Sequence, residues 1–284
     1  MKPLFGFDIT EDKNSETYYA DLFKTKSVDE EISKRLDDAT NTIDSTVEKA
    51  SVPTVLTIIQ YLTFFYGVLV IGAMFGVDGG PKQAFENAPI LSITGLIALI
   101  PAIVIWVYSK MKQKKVYAEE NSEGQMKTLE DYAMEAFDNL GVPKDAKETD
   151  ILLFRFRIKD GKVKMHTPTM ASTPFYNHVF RVWRDGFTLY IADVASLYTF
   201  HPETFKTIRK IKKCAILPTW NKKEKYNKGE YKQYKLGSSN AGILAKPYYI
   251  LVVEKDGEEY GIYFPCYELP TFEALTGLTA TEEE

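Results

Sequence analysis

The chemistry available to this 284-residue chain is concentrated in its lysines, above all between positions 206 and 235. This stretch, here called the basic segment, holds eleven basic residues against two acidic ones, Glu224 and Glu230, although the chain has a net charge of −4. Lysines near a membrane surface attract anionic lipid by about 1 kcal/mol each, so the basic segment is predicted to bind anionic headgroups. Its basic residues are Lys206, Arg209, Lys210, Lys212, Lys213, Lys222, Lys223, Lys225, Lys228, Lys232 and Lys235.

The basic segment has two other interpretations besides headgroup binding. A lysine-rich loop can be a solvated surface that discourages pairing of exposed strand edges, and this interpretation stays open. Nucleic acid would suit the mixture of lysines with Trp220, Tyr226, Tyr231 and Tyr234. Nucleic-acid binding needs no membrane anchor, however, and no nucleic-acid partner is expected.

Catalytic and metal-binding motifs do not occur in the sequence. The histidines, His166, His178 and His201, form no HExxH or HxH motif and no metal-ligand spacing with Cys214 or Cys266. Cys266 could be a nucleophile, but no neighbouring residue supplies a base, and reduced, buried thiols are expected. We predict no cofactor, no metal and no catalysis, with an enzyme of unrecognised type as the open alternative.

Two apolar stretches within residues 53–109 are expected to hold these lysines close to a membrane. No charged residue occurs between Lys49 and Asp78, a gap of 28 residues, or from Asn87 to Ser109, a gap of 23. About 20 apolar residues of helix cross a bilayer core, so each stretch is long enough to span it. The short connector, rich in Gly and Pro, makes the two spans antiparallel neighbours.

Three residues inside these stretches have predicted structural roles. Gly72 and Gly76 are four apart, a small-residue spacing that permits close helix packing. Pro101 is expected to kink the second span, because proline removes a backbone hydrogen bond. Neither stretch holds an ionisable residue, and the connector carries no pore-helix or filter pattern. The hairpin is therefore predicted to be an anchor rather than a channel.

The flanking lysines predict the orientation of the hairpin. Lys110, Lys112, Lys114 and Lys115 follow the second span directly, whereas the connector has one basic residue, Lys82. Basic flanks stay on the cytosolic side, so both termini of this multi-pass protein are predicted to be cytosolic, at the cell membrane. The first residues lack the pattern of a cleaved signal peptide.

Two amphipathic helices are predicted beside the hairpin. In the acidic lead-in, residues 1–52, apolar side chains recur with an 11-residue period over 27–50, after a capping box of Ser27 and Glu30. In the basic flank and linker, residues 110–150, a second helix covers about 123–140. The apolar stripes of these helices are predicted to pair with each other, with a second subunit as a coiled coil, or with a protein partner. Before residue 27, a docking helix around 15–24 and a flexible tail are both open.

Residues 151–276 are predicted to form a β-rich domain. β-branched and aromatic residues alternate there with polar ones, as is typical of strands. Asp-Gly pairs at 160–161, 185–186 and 256–257 predict hairpin turns. The stretch YELPTFEALTGL is long enough for one closing helix, and residues 277–284 form an acidic tail.

The order of these elements carries a family resemblance. From His178 onward, seven strand candidates are followed by one helix; VFRVWRDGFTLYIAD stands where a first hairpin would lie, and SLYTFHPETFKTIRKIKK continues it. The chain thus resembles bacterial membrane-anchored proteins with a pleckstrin-homology-like (PH-like, GRAM-like) domain. The resemblance implies a seven-stranded bent sandwich with a C-terminal helix, to which the hairpin at 151–167 is an extra, N-terminal addition.

The expected fold class is a membrane α-helical hairpin plus a mainly-β, α+β cytosolic domain. The expected function is a non-catalytic, membrane-tethered binding module that recognises anionic headgroups or a protein partner at the cytosolic face. The alternative is an accessory or scaffold subunit of a membrane complex that acts through its cytosolic helices.

Overall fold

The computed structural model describes residues 1–8, 19–76, 78, 80–159, 162–165, 175–212, 215–217, 229–234, 236–239 and 242–282. The chain divides into two compact units, one of residues 1–33 with 134–284 and one of residues 34–133. The helices described are α1 (Glu30–Ala50), α2 (Thr54–Gly76), α3 (Gly80–Asn87), α4 (Pro89–Glu119), α5 (Ser122–Leu140) and α6 (Leu269–Thr276).

The strands described are β1 (Lys2–Pro3), β2 (Gly6–Asp8), β3 (Lys24–Ser27), β4 (Lys147–Lys159), β5 (Lys162–Met165), β6 (Phe175–Asp185), β7 (Thr188–Ala192), β8 (Ser196–Phe200), β9 (Phe205–Ile211), β10 (Ala215–Leu217), β11 (Gly237–Ser239), β12 (Gly242–Ala245), β13 (Tyr248–Lys255), β14 (Glu258–Pro265) and β15 (Ala280–Glu282). Short 3-10 turns lie at Tyr19–Phe23, Pro202–Thr204, Gly229–Tyr234 and Cys266–Glu268.

The unit of residues 34–133 contains two helices, α2 and α4, that are long and apolar enough to cross a membrane. They pack against each other where both backbones lack side chains: a Cβ on Gly67 would lie 2.4 Å from Leu99, and one on Gly95 would lie 2.3 Å from Val70. Gly72 and Gly76, whose spacing suggested close packing, have no heavy atom of the described chain within 4 Å of such a Cβ. The close approach therefore uses a different glycine pair from the one that the sequence pattern indicated.

The connector between α2 and α4 is partly helical, which the sequence pattern did not indicate. It forms α3, whose Ala84 is buried against Val70 and Met74 of α2. Ser92 of α4 donates a hydrogen bond to the Ala84 carbonyl at 3.4 Å. Pro101 lies within the continuous helix α4, which extends ten residues past Ser109.

Helices α1 and α5 run antiparallel and contact each other within the same chain. Near the end of α1, Lys49 pairs with Glu120 at 2.8 Å, and the Thr46 hydroxyl lies 3.1 Å from Gln125 Oε1. Nearer its start, the Arg35 guanidinium lies over the ring of Tyr132 at 5.2 Å. The predicted helices 27–50 and 123–140 are thus present, and the contacts between them are within one subunit.

The start of α1 differs from the capping-box prediction. Ser27 is the last residue of β3 and pairs with Ser196 of β8. The Ser33 amide donates to the Asp29 carbonyl at 2.9 Å, which makes Asp29 the first residue to accept an intrahelical bond. The capping position is therefore Asp29, two residues after Ser27, because Ser27 belongs to the strand.

The unit of residues 1–33 and 134–284 is built on a large, mostly antiparallel sheet. Its order is β15-β9-β13-β14-β4-β6-β7-β8-β3, with β1 on β14 and with β2 and β5 on β4. The pairs β1–β14, β2–β4 and β15–β9 are parallel. A separate sheet has the order β10-β12-β11.

The structure places three segments that the sequence analysis singled out. The first strand of the hairpin at 151–167 belongs to β4, which lies between β14 and β6 in the middle of the sheet. The strand candidate YKQYKLG, residues 231–237, is mainly the 3-10 turn Gly229–Tyr234, with β11 after it. The docking helix considered around 15–24 falls partly on residues 9–18, outside the described chain, and its described part is the 3-10 turn Tyr19–Phe23 and the start of β3.

Aromatic residues of the lead-in fill the core of the sheet unit, which explains why these segments join it. Phe5 is fully buried, and its ring centroid lies 4.8 Å from that of Phe180. Phe23 stacks on Phe200 at 4.8 Å. Burial of side chains this large contributes about 1.5–3 kcal/mol each.

The closing helix is present as α6. Its Phe272 stacks on Phe264 of β14, with ring centroids 4.0 Å apart, and is fully buried. The helix ends at Gly277, whose φ of 74° is the left-handed conformation typical of a glycine that terminates a helix. The predicted turn at Asp256-Gly257 is present, with φ of 54° and 77°. The hairpin predicted at 185–186 is also present, but its turn residues are Gly186, with φ of 58°, and Phe187, because Asp185 pairs with Thr188. The turn at 160–161 lies outside the described residues.

Candidate functional site

The described part of the basic segment is centred on strand β9. Ile208 of this strand is fully buried, while Lys206, Arg209 and Lys210 keep a substantial part of their side chains in solvent. Lys212 follows the strand directly and is exposed. The side chains of the other predicted members lie outside the described part of the chain: Lys213, Lys222, Lys223, Lys225, Lys228, Lys232 and Lys235.

Each of these four cations has a carboxylate partner. Lys206 lies 3.1 Å from Glu254 of β13, and Arg209 lies 3.9 Å from Glu259 of β14. Such exposed pairs contribute about 0–1 kcal/mol and are screened by salt. A more strongly binding anion can therefore replace these carboxylates as the partner of the cations on β9.

The remaining two cations share one carboxylate, that of Glu282 on β15. Its oxygens lie 2.6 Å from Lys210 Nζ and 3.4 Å from Lys212 Nζ. The hydrogen bond from Lys210 lowers the pKa of the Glu282 carboxyl, and the same bond raises the pKa of Lys210. One carboxylate thus lies between two ammonium groups, and sequence reasoning did not predict this arrangement.

The flanking lysines form a second cationic group, on the last turns of α4. Lys110, Lys114 and Lys115 are exposed, and Lys115 lies 3.7 Å from Glu119. Lys112 donates a hydrogen bond to the carbonyl of Ser51, the residue that follows α1. At 1.5 Å per residue, α4 continues about 15 Å past Ser109, where the charge-free stretch ends, so these lysines occupy the turns next to that stretch.

A buried acidic cluster in the sheet unit was not predicted from sequence. Tyr267 donates to Asp150 Oδ2 at 2.7 Å, and Glu268 accepts the Asp150 amide at 3.2 Å and the Thr271 hydroxyl at 3.2 Å. Lys147 donates to the Thr271 hydroxyl. Burial raises the pKa of Glu268 to about 6, and the nearby Asp150 charge acts in the same direction. Between about pH 4.5 and 6, Glu268 therefore keeps a proton that an ordinary glutamate carboxyl would have lost.

Clefts of moderate size occur among the described helices of residues 34–133. One, of about 300 Å³, lies between α1 and α5 and is lined by Arg35, Thr42, Gln125 and Tyr132, among others. Another, of about 360 Å³, lies between α2 and α4 with Gln60 and Trp106 in its lining. A third, of about 450 Å³, is lined by the second half of α1 and by Glu120. None of these three holds a group of catalytic side chains.

The residues considered for catalysis or metal binding do not come together among the described residues. Cys266 is buried in the hydrophobic core, and His201 is exposed after β8. Cys214, His166 and the side chain of His178 lie outside the described part. In the ranges that the structure describes, no group of three or more His, Cys, Asp or Glu side chains is placed to hold a metal.

Comparisons with protein-family models, with curated proteins and with solved structures found no match for this chain. The function is therefore argued from the residues and their geometry alone.

Proposed function

We propose that this chain is a two-span membrane protein whose β-rich unit is a non-catalytic binding module for anionic headgroups at the cytosolic face. The observation that carries the proposal is the outward face of the α2–α4 pair. Among the described residues, large apolar side chains there are more than half exposed, such as Leu69 at 71% and Ile90 at 79%. In water such a surface would be strongly unfavourable, whereas in a bilayer it faces hydrocarbon.

The lysine-rich end of α4 supports the orientation. Lys110, Lys112, Lys114 and Lys115 lie on the helical turns that follow the apolar stretch, where they would reach anionic headgroups. By the positive-inside rule this end is cytosolic, and both termini are then cytosolic as well. The protein would lie in the cell membrane.

The β-rich unit is proposed to be a PH-like domain. The supporting observations are the antiparallel succession β6, β7 and β8, the pairing of β9, β13 and β14, and the closing helix α6. Strand β4 and the lead-in strands are additions to that plan. A fold of this kind does not determine an activity, so the function depends on the basic segment.

The headgroup proposal is tested with the full chain in nanodiscs that contain zwitterionic lipid with or without anionic lipid. Native mass spectrometry counts the anionic lipids retained per chain. Joint replacement of Lys206, Lys210 and Lys212 by alanine is expected to lower retention about fivefold or more, since each nearby lysine contributes about 1 kcal/mol. Replacement of Lys110, Lys114 and Lys115 is the comparison that separates the flank from β9. Unchanged retention in the β9 variant would contradict the proposal.

A scaffold function is the second candidate, and one observation favours it. Val47 of α1 and Met126 of α5 are each about half exposed, at 50% and 48%, next to the Thr46–Gln125 contact. Exposed apolar side chains on two paired helices suit a partner helix. Co-purification of a protein from its own membrane that is lost in a Val47→Lys, Met126→Lys variant, with lipid retention intact, would favour this function.

A further inference from the structure

We propose that the segment Ala280–Glu282 is an intramolecular occupant of the β9 edge, and that its displacement uncovers Lys210 and Lys212 for an anionic headgroup. The inference rests on the proposed function and adds the regulation of the same site. It predicts that the chain in the described conformation binds anionic lipid less well than its lysine content allows.

The backbone of this segment occupies the edge of the sheet. Strand β15 pairs in parallel with β9, with Ala280 opposite Ile208, Thr281 opposite Arg209 and Glu282 opposite Lys210. The Thr281 hydroxyl donates to the Ile208 carbonyl at 3.2 Å. An exposed strand edge is a template for another extended segment, and here the chain covers its own edge.

The charge of the segment matches that of an incoming anion. The Glu282 carboxylate contacts the ammonium groups of both Lys210 and Lys212, at 2.6 and 3.4 Å. A lysine binds carboxylate and phosphate alike, as a point charge. A headgroup phosphate and Glu282 would therefore compete for the same two ammonium groups, and one must leave for the other to bind.

The segment Ala280–Glu282 is bound to β9 weakly enough for a headgroup to displace it. Strand β15 is three residues long, Thr281 and Glu282 are exposed, and the ion pairs of Glu282 are of the exposed kind that contributes little. Gly277, in its left-handed conformation, separates the segment from α6, and the Ala280 amide donates to Glu273 Oε1 of that helix at 2.9 Å. Short elements with few buried contacts open locally at low free-energy cost.

The test measures anionic lipids retained by the full chain in nanodiscs, by native mass spectrometry, for Glu282→Gln and for a chain that stops after Leu278. Each variant is expected to retain about three to ten times more anionic lipid, the equivalent of one or two exposed ion pairs. Adding Lys210→Ala and Lys212→Ala to Glu282→Gln is expected to abolish the gain. Glu148→Gln is the matched control, because it removes an exposed, ion-paired carboxylate elsewhere in the same unit.

A second measurement follows the edge itself. The peptide TATEEE, added to the shortened chain, is expected to reduce lipid retention again, and the peptide TATQEE is expected to do so less. Hydrogen exchange at residues 207–211 is expected to rise in the shortened chain without lipid.

The outcomes separate the inference from the proposed function. If the lysine variants lower retention while Glu282→Gln and the shortened chain behave like the unmodified chain, headgroup binding stands and the inference falls. If Glu148→Gln gives the same gain, the effect is one of net charge and the inference again falls. If the lysine variants change retention in neither background, the proposed function falls and the inference falls with it. If the acidic peptide binds the shortened chain but lipid does not, the edge binds acidic strands of proteins, and headgroup competition is overturned.

Discussion

At the residue scale, two features affect packing and stability most: glycines where two helices approach closely, and a buried carboxyl group. Gly67 and Gly95 let α2 and α4 approach closely, and no charge pattern or motif marks them. Glu268 is 6% exposed and lies beside a second buried carboxyl, that of Asp150. Both features depend on residues that come together only in the folded chain.

The raised pKa of Glu268 makes the free energy of unfolding depend on pH. The folded pKa of about 6 exceeds the ordinary value of 4.5, so the folded state holds this proton more tightly than the unfolded state does. The contribution of Glu268 to the free energy of unfolding is therefore complete below about pH 4.5 and falls by about 2 kcal/mol as the pH rises through 6. Urea unfolding of the full chain in detergent, followed by tryptophan fluorescence with Trp106 and Trp220 replaced by phenylalanine so that Trp183 alone reports, measures this change.

The matched variants for this prediction are Glu268→Gln and Glu148→Gln. The first removes the titrating group and is expected to remove this part of the pH dependence between pH 4.5 and 7. The second removes an exposed carboxylate and is expected to keep it. An unaltered pH dependence in Glu268→Gln would contradict the assignment.

The glycine contacts predict a sharp difference between two substitutions. Gly95→Val places new atoms on Val70, where a Cβ alone would lie 2.3 Å away, and is expected to destabilise the hairpin by about 1–3 kcal/mol. Gly72→Val meets open space within the described chain and is expected to change stability little. Thermal unfolding of both variants in mild detergent compares them, and equal losses would contradict the packing.

At the element scale, local pattern and tertiary pairing compete for the same residues. Ser27 and Glu30 have the spacing of a capping box, yet Ser27 pairs as a strand and α1 starts at Glu30. The lead-in strands are short, and their places depend on pairing with β14, β4 and β8, which lie more than 140 residues away in sequence. Such long-range pairings produce no local periodicity in the sequence from which these strands could be predicted.

The antiparallel pairing of α1 and α5 is tested by crosslinking. Cysteines at Ile43 and Leu129, in a background without Cys214, are expected to be joined within one chain by a short bifunctional reagent. The pair Ile43 and Glu130 is the control, because Glu130 is exposed on α5. A crosslinked dimer in place of a crosslinked monomer would show that the partner helix comes from a second subunit.

At the scale of the whole molecule, the proposed two-span topology assigns a side of the membrane to each segment. The connector helix α3 would face the outside, and the turns of α4 beyond Ser109 would face the cytosol. The lead-in and the β-rich unit would then be on the same side, as their shared sheet requires, because β1, β2 and β3 pair with strands from beyond residue 147.

The topology is measured by thiol labelling of intact cells in a background without Cys214. A cysteine at Glu86, in the connector, is expected to react with a membrane-impermeant reagent added outside. A cysteine at Lys114 is expected to react only after the membrane is opened. Both positions are exposed in the structure, so a reversed result would contradict the orientation and not the folding.

Much of the helical part could be predicted from sequence, and less of the sheet. The two apolar stretches, both amphipathic helices, the closing helix and the turns at 185–186 and 256–257 follow from local composition and period. The position of β4 in the sheet, the lead-in strands and β15 could not be predicted, because strand partners are set by long-range pairing. For the candidate site, the sequence indicated the cations of β9 but not their carboxylate partners on β13, β14 and β15.

The lysines show which properties of this protein are set by sequence and which by tertiary structure. Sequence alone determined that this chain has two apolar helices long enough for a membrane, a lysine-rich flank and a concentration of positive charge at 206–235, because composition and helical period are local properties. Only the tertiary structure decided that Glu282 contacts Lys210 and Lys212, because residues 70 or more positions apart meet through the pairing of two strands. Whether a charge is available to a ligand depends on its neighbours in space, and these are set by the fold.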